Sequence, residues 1–227
     1  MVAPLQLRVD VVSDVVCPWC YIGKRRLEGA IALTRDDVDV VVQWRPFFLN
    51  PWIPREGVDR TTYLETKFGS VDRYKGMASN VAAAAAEEGL EYNASRINRQ
   101  PNTIDCHRLI YWAEQIGQSG AMKQRLMDLY FKDGADLTNP EVLVAAAADC
   151  GLPADEVRAR LAGDLDVELI AQEAQSAADA GITGVPTFLL AGRYALSGAY
   201  PSEQLAKAIR HVASLPQEEE ASQPAAE

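Results

Sequence analysis

The N-terminal part of the chain changes its hydrophobic period twice. Apolar and polar residues alternate over residues 5–12, and a period of two predicts a β-strand with one buried face. Over residues 21–33 the apolar positions, among them Ile22 and Leu27, recur at helical spacing and predict a helix. Residues 38–44 are β-branched and apolar, as in a buried strand. The predicted fold therefore opens with a β-α-β unit.

The middle of the chain, residues 59–181, replaces strand patterns with a succession of alanine-rich helical segments. Gly89, Gly117, Gly151 and Gly181 each follow a helical segment, where a glycine commonly ends a helix. We therefore expect this part to be a block of helices. The predicted helices cover residues 63–68, 72–88, 103–116, 121–131, 140–150, 154–161 and 167–180.

Strand patterns return near the C-terminus. Residues 185–190 and 193–197 are apolar runs separated by Ala191-Gly192, a short connection typical of a β-hairpin. Residues 202–214 carry apolar side chains on one helical face and predict a final helix. The predicted order is a β-α-β unit, a helical block and a closing hairpin with its helix.

Composition and net charge limit the classes of molecule that the protein is expected to bind. Hydrophobic residues make up 48% of the 227 residues, enough for a sizeable core. The net charge of −10 argues against nucleic acid, since phosphates are bound by clustered Lys and Arg. Part of this acidity lies in residues 216–227, which we expect to form a disordered acidic tail.

The start of the chain has no basic segment followed by a continuous apolar stretch, as a secretory signal would have. Arg8 and Asp10 interrupt its apolar residues, and no apolar run in the chain approaches the length of a membrane-spanning helix. We therefore expect a cytoplasmic protein with no membrane partner.

Two cysteines, Cys17 and Cys20, are separated by two residues in the segment between the first strand and the first helix. Structural disulfides are rare in the cytoplasm, so a close pair points to redox or metal chemistry. A zinc site usually requires a second closely spaced pair, which the sequence lacks. We therefore expect no metal and favour a redox pair.

The helix start assigns different roles to the two thiols. Cys17 lies where free N–H groups and the helix dipole favour a negative charge, and Pro18 suits the first turn because its missing N–H has no helical partner. We expect Cys17 to touch solvent and to have a pKa of about 5–7. The side chain of Trp19 carries no charge that would lower the pKa of Cys17 further. Cys20, one turn further on, is expected to be buried and to resolve mixed disulfides.

Other polar residues are candidates for tuning this pair. Asp14 would raise the pKa of Cys17 if it lies close, or it is an ordinary carboxylate at a strand end. His107 is a candidate proton donor or substrate contact, although a structural hydrogen bond near Asn102 and Thr103 is the simpler interpretation.

The two remaining thiols, Cys106 and Cys150, fall in predicted helices. We expect both to be small buried side chains.

Several motifs in this order resemble the DsbA-like thioredoxin superfamily, and within it the FrnE-type oxidoreductases. The resemblance extends from Leu7 to about Val212. It implies an α/β protein with a thioredoxin fold and a large all-helical domain inserted after the second strand. The implied thioredoxin-like domain is discontinuous, residues 1–58 and 182–215, with the insertion at residues 59–181. The motifs are SDVVCPWCYIGK from Ser13, PFFLNP from Pro46, PNT from Pro101, HRL from His107, GVPTF from Gly184 and SGA from Ser197.

The resemblance also implies a function and further site residues. It implies a cis peptide bond between Val185 and Pro186, packed against the cysteines and freeing the Val185 backbone for substrate. The implied activity is thiol–disulfide exchange, with the reductase or isomerase direction favoured. The partner is then a protein or small molecule carrying a disulfide or dithiol. No bound cofactor is expected, although glutathione or another thiol would serve as co-substrate.

Two other functions fit the same architecture. One is a glutathione-dependent transferase or isomerase of the kappa-class or 2-hydroxychromene-2-carboxylate isomerase type, against which Cys20 argues. The other is a chaperone that binds peptides in a cleft covered by the helical insertion. The sequence predicts no oligomeric state.

Overall fold

The N-terminal unit forms as the hydrophobic pattern predicts. In the computed structural model, which describes residues 4–216, β1 (Leu5–Ser13) is followed by α1 (Pro18–Thr34) and β2 (Val38–Pro46). The two strands pair in parallel, with Leu5 opposite Val38. All but the first residue of the predicted acidic tail, 216–227, lies outside the described residues.

The helical block contains a short sheet that the sequence did not predict. β3 (Val58–Asp59) pairs antiparallel with β4 (Arg99–Gln100) across two helices. Two-residue strands have no detectable period, so the prediction of an all-helical insertion overlooked them. The helices are α2 (Arg60–Phe68), α3 (Val71–Glu87), α4 (Ile104–Glu114), α5 (Ser119–Asp128), α6 (Pro140–Asp149), α7 (Ala154–Leu161) and α8 (Val167–Asp179).

Several predicted helices differ from the structure at their ends, among them α2, which begins at Arg60 rather than at residue 63. The first helix begins at Pro18 rather than at residue 21, one turn earlier. The predicted helix 121–131 is split into α5 and a π-helical turn, Leu129–Asp133. Because α6 ends at Asp149, Cys150 caps the helix and is half-buried, so the expectation of a buried Cys150 was wrong. Cys106 is fully buried, as predicted.

The C-terminal elements complete the sheet begun by β1 and β2. They are β5 (Thr187–Leu190), β6 (Tyr194–Ser197) and α9 (Ser202–Ser214). The strand order is β2-β1-β5-β6, with β5 antiparallel to both of its neighbours. A four-stranded sheet with a helix-rich insertion between its second and third strands is the thioredoxin architecture that the resemblance implied.

Two hydrophobic clusters position the cysteines. One fills the space between the sheet and the α1–α9 pair, with Leu7, Val9 and Ile209 among its members. The other belongs mainly to the insertion and includes both Cys17 and Cys20. The cysteines therefore lie where the start of α1 meets the insertion, although the domain boundaries expected from the sequence stay a prediction. Across residues 4–216, no helix has the length and apolarity that crossing a membrane demands.

Candidate active site

The first residues of α1 arrange the two thiols as the sequence predicts. Cys17 is the N-cap residue and Pro18 begins the helix. The carbonyl of Cys17 accepts hydrogen bonds from the N–H groups of Cys20 (3.0 Å) and Tyr21 (3.2 Å). Both thiols are unpaired, and Cys20 is buried. Proline fits this position because the first N–H groups of a helix have no partner within it.

Cys17 is itself almost completely buried, with only 4% of its surface exposed. The expectation that its sulfur contacts solvent was therefore wrong. Cys17 Sγ lies 3.6 Å from the carbonyl oxygen of Val185, on the loop before β5. Residues of the insertion pack in the same hydrophobic cluster. The loop and the insertion together cover a helix end that would be open in the isolated β-α-β unit.

The two thiols have opposite pKa shifts. A hydrogen bond from the Cys20 side chain lowers the pKa of Cys17, assisted by the N–H groups of Cys20 and Trp19 and opposed by burial. Burial raises the pKa of Cys20 well above its ordinary value. An attacking thiol with a lowered pKa beside a protonated partner is the arrangement expected of an exchange catalyst. The expected pKa of about 5–7 for Cys17 stays a prediction.

The loop before β5 has the geometry that the resemblance implied. The peptide bond between Val185 and Pro186 is cis. Pro186 also packs against α1, where a Cβ atom added to Gly23 would lie 2.8 Å from Pro186 Cγ. Trp19, between the cysteines, has 40% of its surface exposed. The structure thus brings Val185, Pro186 and Trp19 together around Cys17.

Asp14 is a buried carboxylate of the site, not an exposed strand end. Its Oδ2 accepts a hydrogen bond from the N–H of Leu49 at 2.9 Å, and its Oδ1 lies 3.4 Å from His107 Nε2. Burial acts to raise the pKa of Asp14, but His107, Leu49 and Lys123 together hold it below its usual value. The negative charge of Asp14 raises the pKa of Cys17 and so opposes the thiolate.

His107 reaches the site from α4 in the insertion. Its backbone N–H bonds to the carbonyl of Thr103 at 3.0 Å, but its buried imidazole faces Asp14. The simpler interpretation of a structural contact near Asn102 and Thr103 was therefore wrong for the side chain. Asn102 instead accepts a hydrogen bond from the N–H of Ile104, the first residue of α4, at 2.9 Å, and Thr103 is the N-cap residue. Burial lowers the pKa of His107, which favours a neutral imidazole.

Lys123, which also reaches the site from the insertion, was not predicted from the sequence. Its side chain is fully buried, and its Nζ donates to the carbonyl of Ser13 at 3.3 Å. Burial lowers its pKa, while the negative charges of Cys20 and Asp14 act in the opposite direction. The sequence did indicate its burial, because Lys123 lies three and four residues before the apolar Leu126 and Met127, on the same face of the helix.

A second missed residue, Lys67, belongs to α2. Its ammonium group donates to Asn50 Oδ1 and lies 3.4 Å from the carbonyl of Leu49, two residues that follow β2. Burial lowers the pKa of Lys67 most strongly, whereas the negative charges of Cys17 and Asp14 raise it. No sequence signal marks this lysine, because its neighbours come from a distant segment of the chain.

Comparisons with known proteins identify the same architecture. A family model described as the DSBA-like thioredoxin domain matches residues 8–210. The crystal structure of probable DsbA oxidoreductase SCO1869 from Streptomyces coelicolor is 36% identical, with a TM-score of 0.81; the match covers 91% of this chain and 89% of that one.

Two more distant structures share the fold alone. One is cytosolic disulfide reductase DsbM from Pseudomonas aeruginosa with GSH, at 17% identity and a TM-score of 0.62, covering 91% of this chain and 95% of that one. The other is 2-hydroxychromene-2-carboxylate isomerase, at 15% identity and a TM-score of 0.68, covering 90% of this chain and 95% of that one. Because the family model spans most of the sequence and a relative at 36% identity covers 91% of it, the chain belongs to the DSBA-like thioredoxin domain family, whose members are disulfide oxidoreductases.

Proposed function

We propose that this chain exchanges thiols and disulfides through Cys17 and Cys20, with Cys17 as the attacking thiol. The thiolate of Cys17 attacks a substrate disulfide, forms a mixed disulfide and releases one substrate thiolate. Cys20 then loses its proton and attacks Cys17 Sγ, which forms the intramolecular disulfide and releases the second thiol. Two electrons pass from the cysteine pair to the substrate. The observation that carries this proposal is the placement of Cys17 at the N-cap of α1, with Cys20 buried one turn further on and the carbonyl oxygen of Val185 3.6 Å from Cys17 Sγ.

The residues around Cys17 support a substrate contact on the side of the loop. The carbonyl oxygen of Val185 lies 3.6 Å from Cys17 Sγ, within reach of a chain bound beside that sulfur. Trp19 offers exposed apolar surface next to it. We assign Val185, Pro186 and Trp19 to substrate binding and Pro18 to the start of the helix.

The carboxylate of Asp14 favours the reductase or isomerase direction. A buried negative charge near Cys17 destabilises the thiolate and hence the reduced pair, which makes the pair a better electron donor. In a reducing cytoplasm, which we propose as its location, other thiols would return the pair to the reduced state. Equilibration with glutathione measures the potential: a value at or below about −220 mV supports this direction, and one near about −120 mV marks an oxidant.

We propose glutathione as the recycling thiol, because Lys67 provides a cation within electrostatic range of Cys17. Glutathione carries two carboxylates, whereas dithiothreitol is uncharged. We expect Lys67→Gln to raise the KM for glutathione by about tenfold, the loss of roughly one charge-assisted hydrogen bond. Turnover with dithiothreitol is the control and should not change. An equal loss with both thiols would assign Lys67 to the fold rather than to glutathione.

The proposal is tested by trapping each cysteine after equilibration in glutathione redox buffers. We expect Cys17 and Cys20 to become a disulfide together, while Cys106 and Cys150 stay thiols. In an insulin reduction assay, Cys17→Ser should be inactive and Cys20→Ser should accumulate a mixed disulfide with insulin. Cys150→Ser is the matched control and should retain full activity. Exchange that persists in Cys17→Ser would refute the proposal.

The fold by itself also suits a glutathione-dependent isomerase, since 2-hydroxychromene-2-carboxylate isomerase has it. The feature that favours exchange is Cys20, a buried thiol that hydrogen-bonds Cys17. Exchange requires this second thiol, and isomerisation does not. Peptide binding under the insertion stays a prediction from the sequence.

A further inference from the structure

A cavity of about 570 Å³ lies between α2, α3 and the segment that leads into β4. Its walls are largely apolar and include Leu64, Val71, Ala78 and Ile97. None of the residues assigned to thiol exchange lines it. The cavity is therefore separate from the cysteine site, although both border α2.

One charged side chain of this cavity, Arg60, has only neutral partners. Its Nη1 donates to Gln100 Oε1 and to the hydroxyl of Tyr130 (3.2 Å), and its Nη2 donates to the hydroxyl of Tyr74 (2.9 Å). The rings of Tyr63 and Tyr74 each lie 5.1 Å from its guanidinium carbon. Within residues 4–216, no carboxylate forms an ion pair with Arg60.

Asp59, the acidic residue that lines the cavity, does not form an ion pair with Arg60. The carboxylate of Asp59 caps α2, with Oδ1 accepting hydrogen bonds from Thr61 N at 2.8 Å and Thr62 N at 3.1 Å. A partly buried cation without an anionic partner is costly, since burial removes water that would otherwise solvate it. An anion brought by a ligand would remove that cost.

The unused donors of Arg60 define the kind of anion that fits. The hydrogen bonds to Gln100, Tyr130 and Tyr74 engage Nη1 and one hydrogen of Nη2. Nε is buried and has no hydrogen-bond partner among the described residues. Nη2 therefore keeps one N–H that no described residue accepts, and a guanidinium N–H pairs strongly with a carboxylate oxygen.

We propose that this cavity binds a small amphipathic monocarboxylate. The carboxylate accepts a hydrogen bond from the free Nη2–H of Arg60, and the apolar body of the ligand fills the space between Leu64, Val71, Ala78 and Ile97. The apolar walls disfavour a fully polar anion such as inorganic phosphate. The other cation of the lining, Lys75, is already paired with Asp72 at 2.9 Å, so the cavity favours a ligand with one negative charge.

The test uses octanoate as the probe and 1-octanol as its uncharged analogue, with binding measured by titration calorimetry on the full chain. We expect the protein to prefer octanoate over 1-octanol by at least about tenfold, the effect of one charge-assisted pair. Arg60→Gln should remove this preference. Equal affinity for the two probes, or no binding of octanoate at millimolar concentration, would overturn the proposal.

A second pair of variants leaves Arg60 in place. Ala82 lines the cavity on the exposed side of α3, whereas its neighbour Ala83 is exposed and does not line it. Ala82→Trp should abolish octanoate binding, and Ala83→Trp should leave it unchanged. Both variants should retain thiol exchange, so failure of this site is distinguishable from failure of the cysteine site. Octanoate binding that survives Ala82→Trp would place the ligand elsewhere.

Discussion

The thiol of Cys20 acts on Cys17 in two separable ways. It supplies the second sulfur of the disulfide, and its hydrogen bond is the largest influence that lowers the pKa of Cys17. Replacing Cys20 by Ala removes both the sulfur and the donor, whereas Ser removes the sulfur and keeps a donor. We expect Cys20→Ala to raise the pKa of Cys17 by about one unit relative to Cys20→Ser, since a hydrogen bond to a charged group contributes about 1.5 kcal/mol.

The pKa is measured by the pH dependence of iodoacetamide alkylation, with Cys17 resolved from the other thiols by mass spectrometry. Neither variant can resolve a mixed disulfide, so the difference between them isolates the hydrogen bond. The same pKa in both would show that the N–H groups of Cys20 and Trp19, at the start of α1, stabilise the thiolate instead.

Local chemistry made part of this site predictable. Cys17, Pro18 and Cys20 are consecutive or one turn apart, and the rules for a helix N-terminus assign their positions directly. The burial of Cys17 and the surroundings of Asp14 were not predictable, because His107 reaches them from a helix almost a hundred residues away in sequence. The hydrophobic period of a segment does not indicate which distant helix packs over the end of a strand.

At the scale of elements, the contact between α1 and the loop before β5 depends on a glycine. Alanine in place of a helical glycine normally stabilises a helix by about 0.5–1 kcal/mol. In Gly23→Ala, however, the new Cβ would lie 2.8 Å from Pro186 Cγ and 3.4 Å from Phe188 Cζ. We expect a net destabilisation of about 1–3 kcal/mol from overpacking, together with slower thiol exchange because the loop moves away from Cys17.

The matched control is Gly76→Ala in α3, where an added Cβ would meet no atom within 4 Å. It should stabilise the protein by about 0.5–1 kcal/mol and leave exchange unchanged. Urea unfolding and the insulin assay measure both effects. A Gly23→Ala variant as stable and active as Gly76→Ala would show that α1 and the loop can separate without cost.

Helices with clear end signals were the elements whose bounds the sequence predicted best. The final helix and α7 have the predicted bounds, because their apolar periods end at clear stop signals. The strands β3 and β4 were missed because they hold two residues each, and their pairing joins segments about forty residues apart. The resemblance supplied the thioredoxin fold, which the hydrophobic pattern alone does not contain.

Across the whole molecule, buried polar groups connect the sheet to the insertion. Lys123 of α5 bonds to the carbonyl of Ser13 at the end of β1, and His107 of α4 faces Asp14 just beyond it. Both contacts lie beside the cysteines. Protonation of a group in this region therefore acts on the stability of the complete fold rather than on one surface site.

The pH dependence of unfolding should report this connection through His107. In the unfolded chain a histidine has a pKa of about 6.5, whereas burial, and to a lesser degree the charge of Lys123, lower the pKa of His107 in the folded protein despite the opposing effect of Asp14. Above about pH 6.5 both states are neutral and stability is fully present. As the pH falls below this value, the unfolded chain takes up a proton that the folded protein excludes. The free energy of unfolding should then decrease by up to about 1.4 kcal/mol per pH unit until the folded pKa is reached.

The two histidines of the chain allow a direct comparison, because His211 on α9 is exposed. Urea unfolding at pH 7, 6 and 5.5 should give a slope that His107→Gln removes and His211→Gln retains. The acidic side chains contribute mainly at lower pH, and they are the same in both variants, so their contribution cancels in the comparison. A slope of the opposite sign, with stability rising as the pH falls, that His107→Gln removes would mean that the imidazole beside Asp14 is protonated in the folded protein. The contact between α4 and the end of β1 would then be an ion pair, and its loss would instead begin as the pH rises.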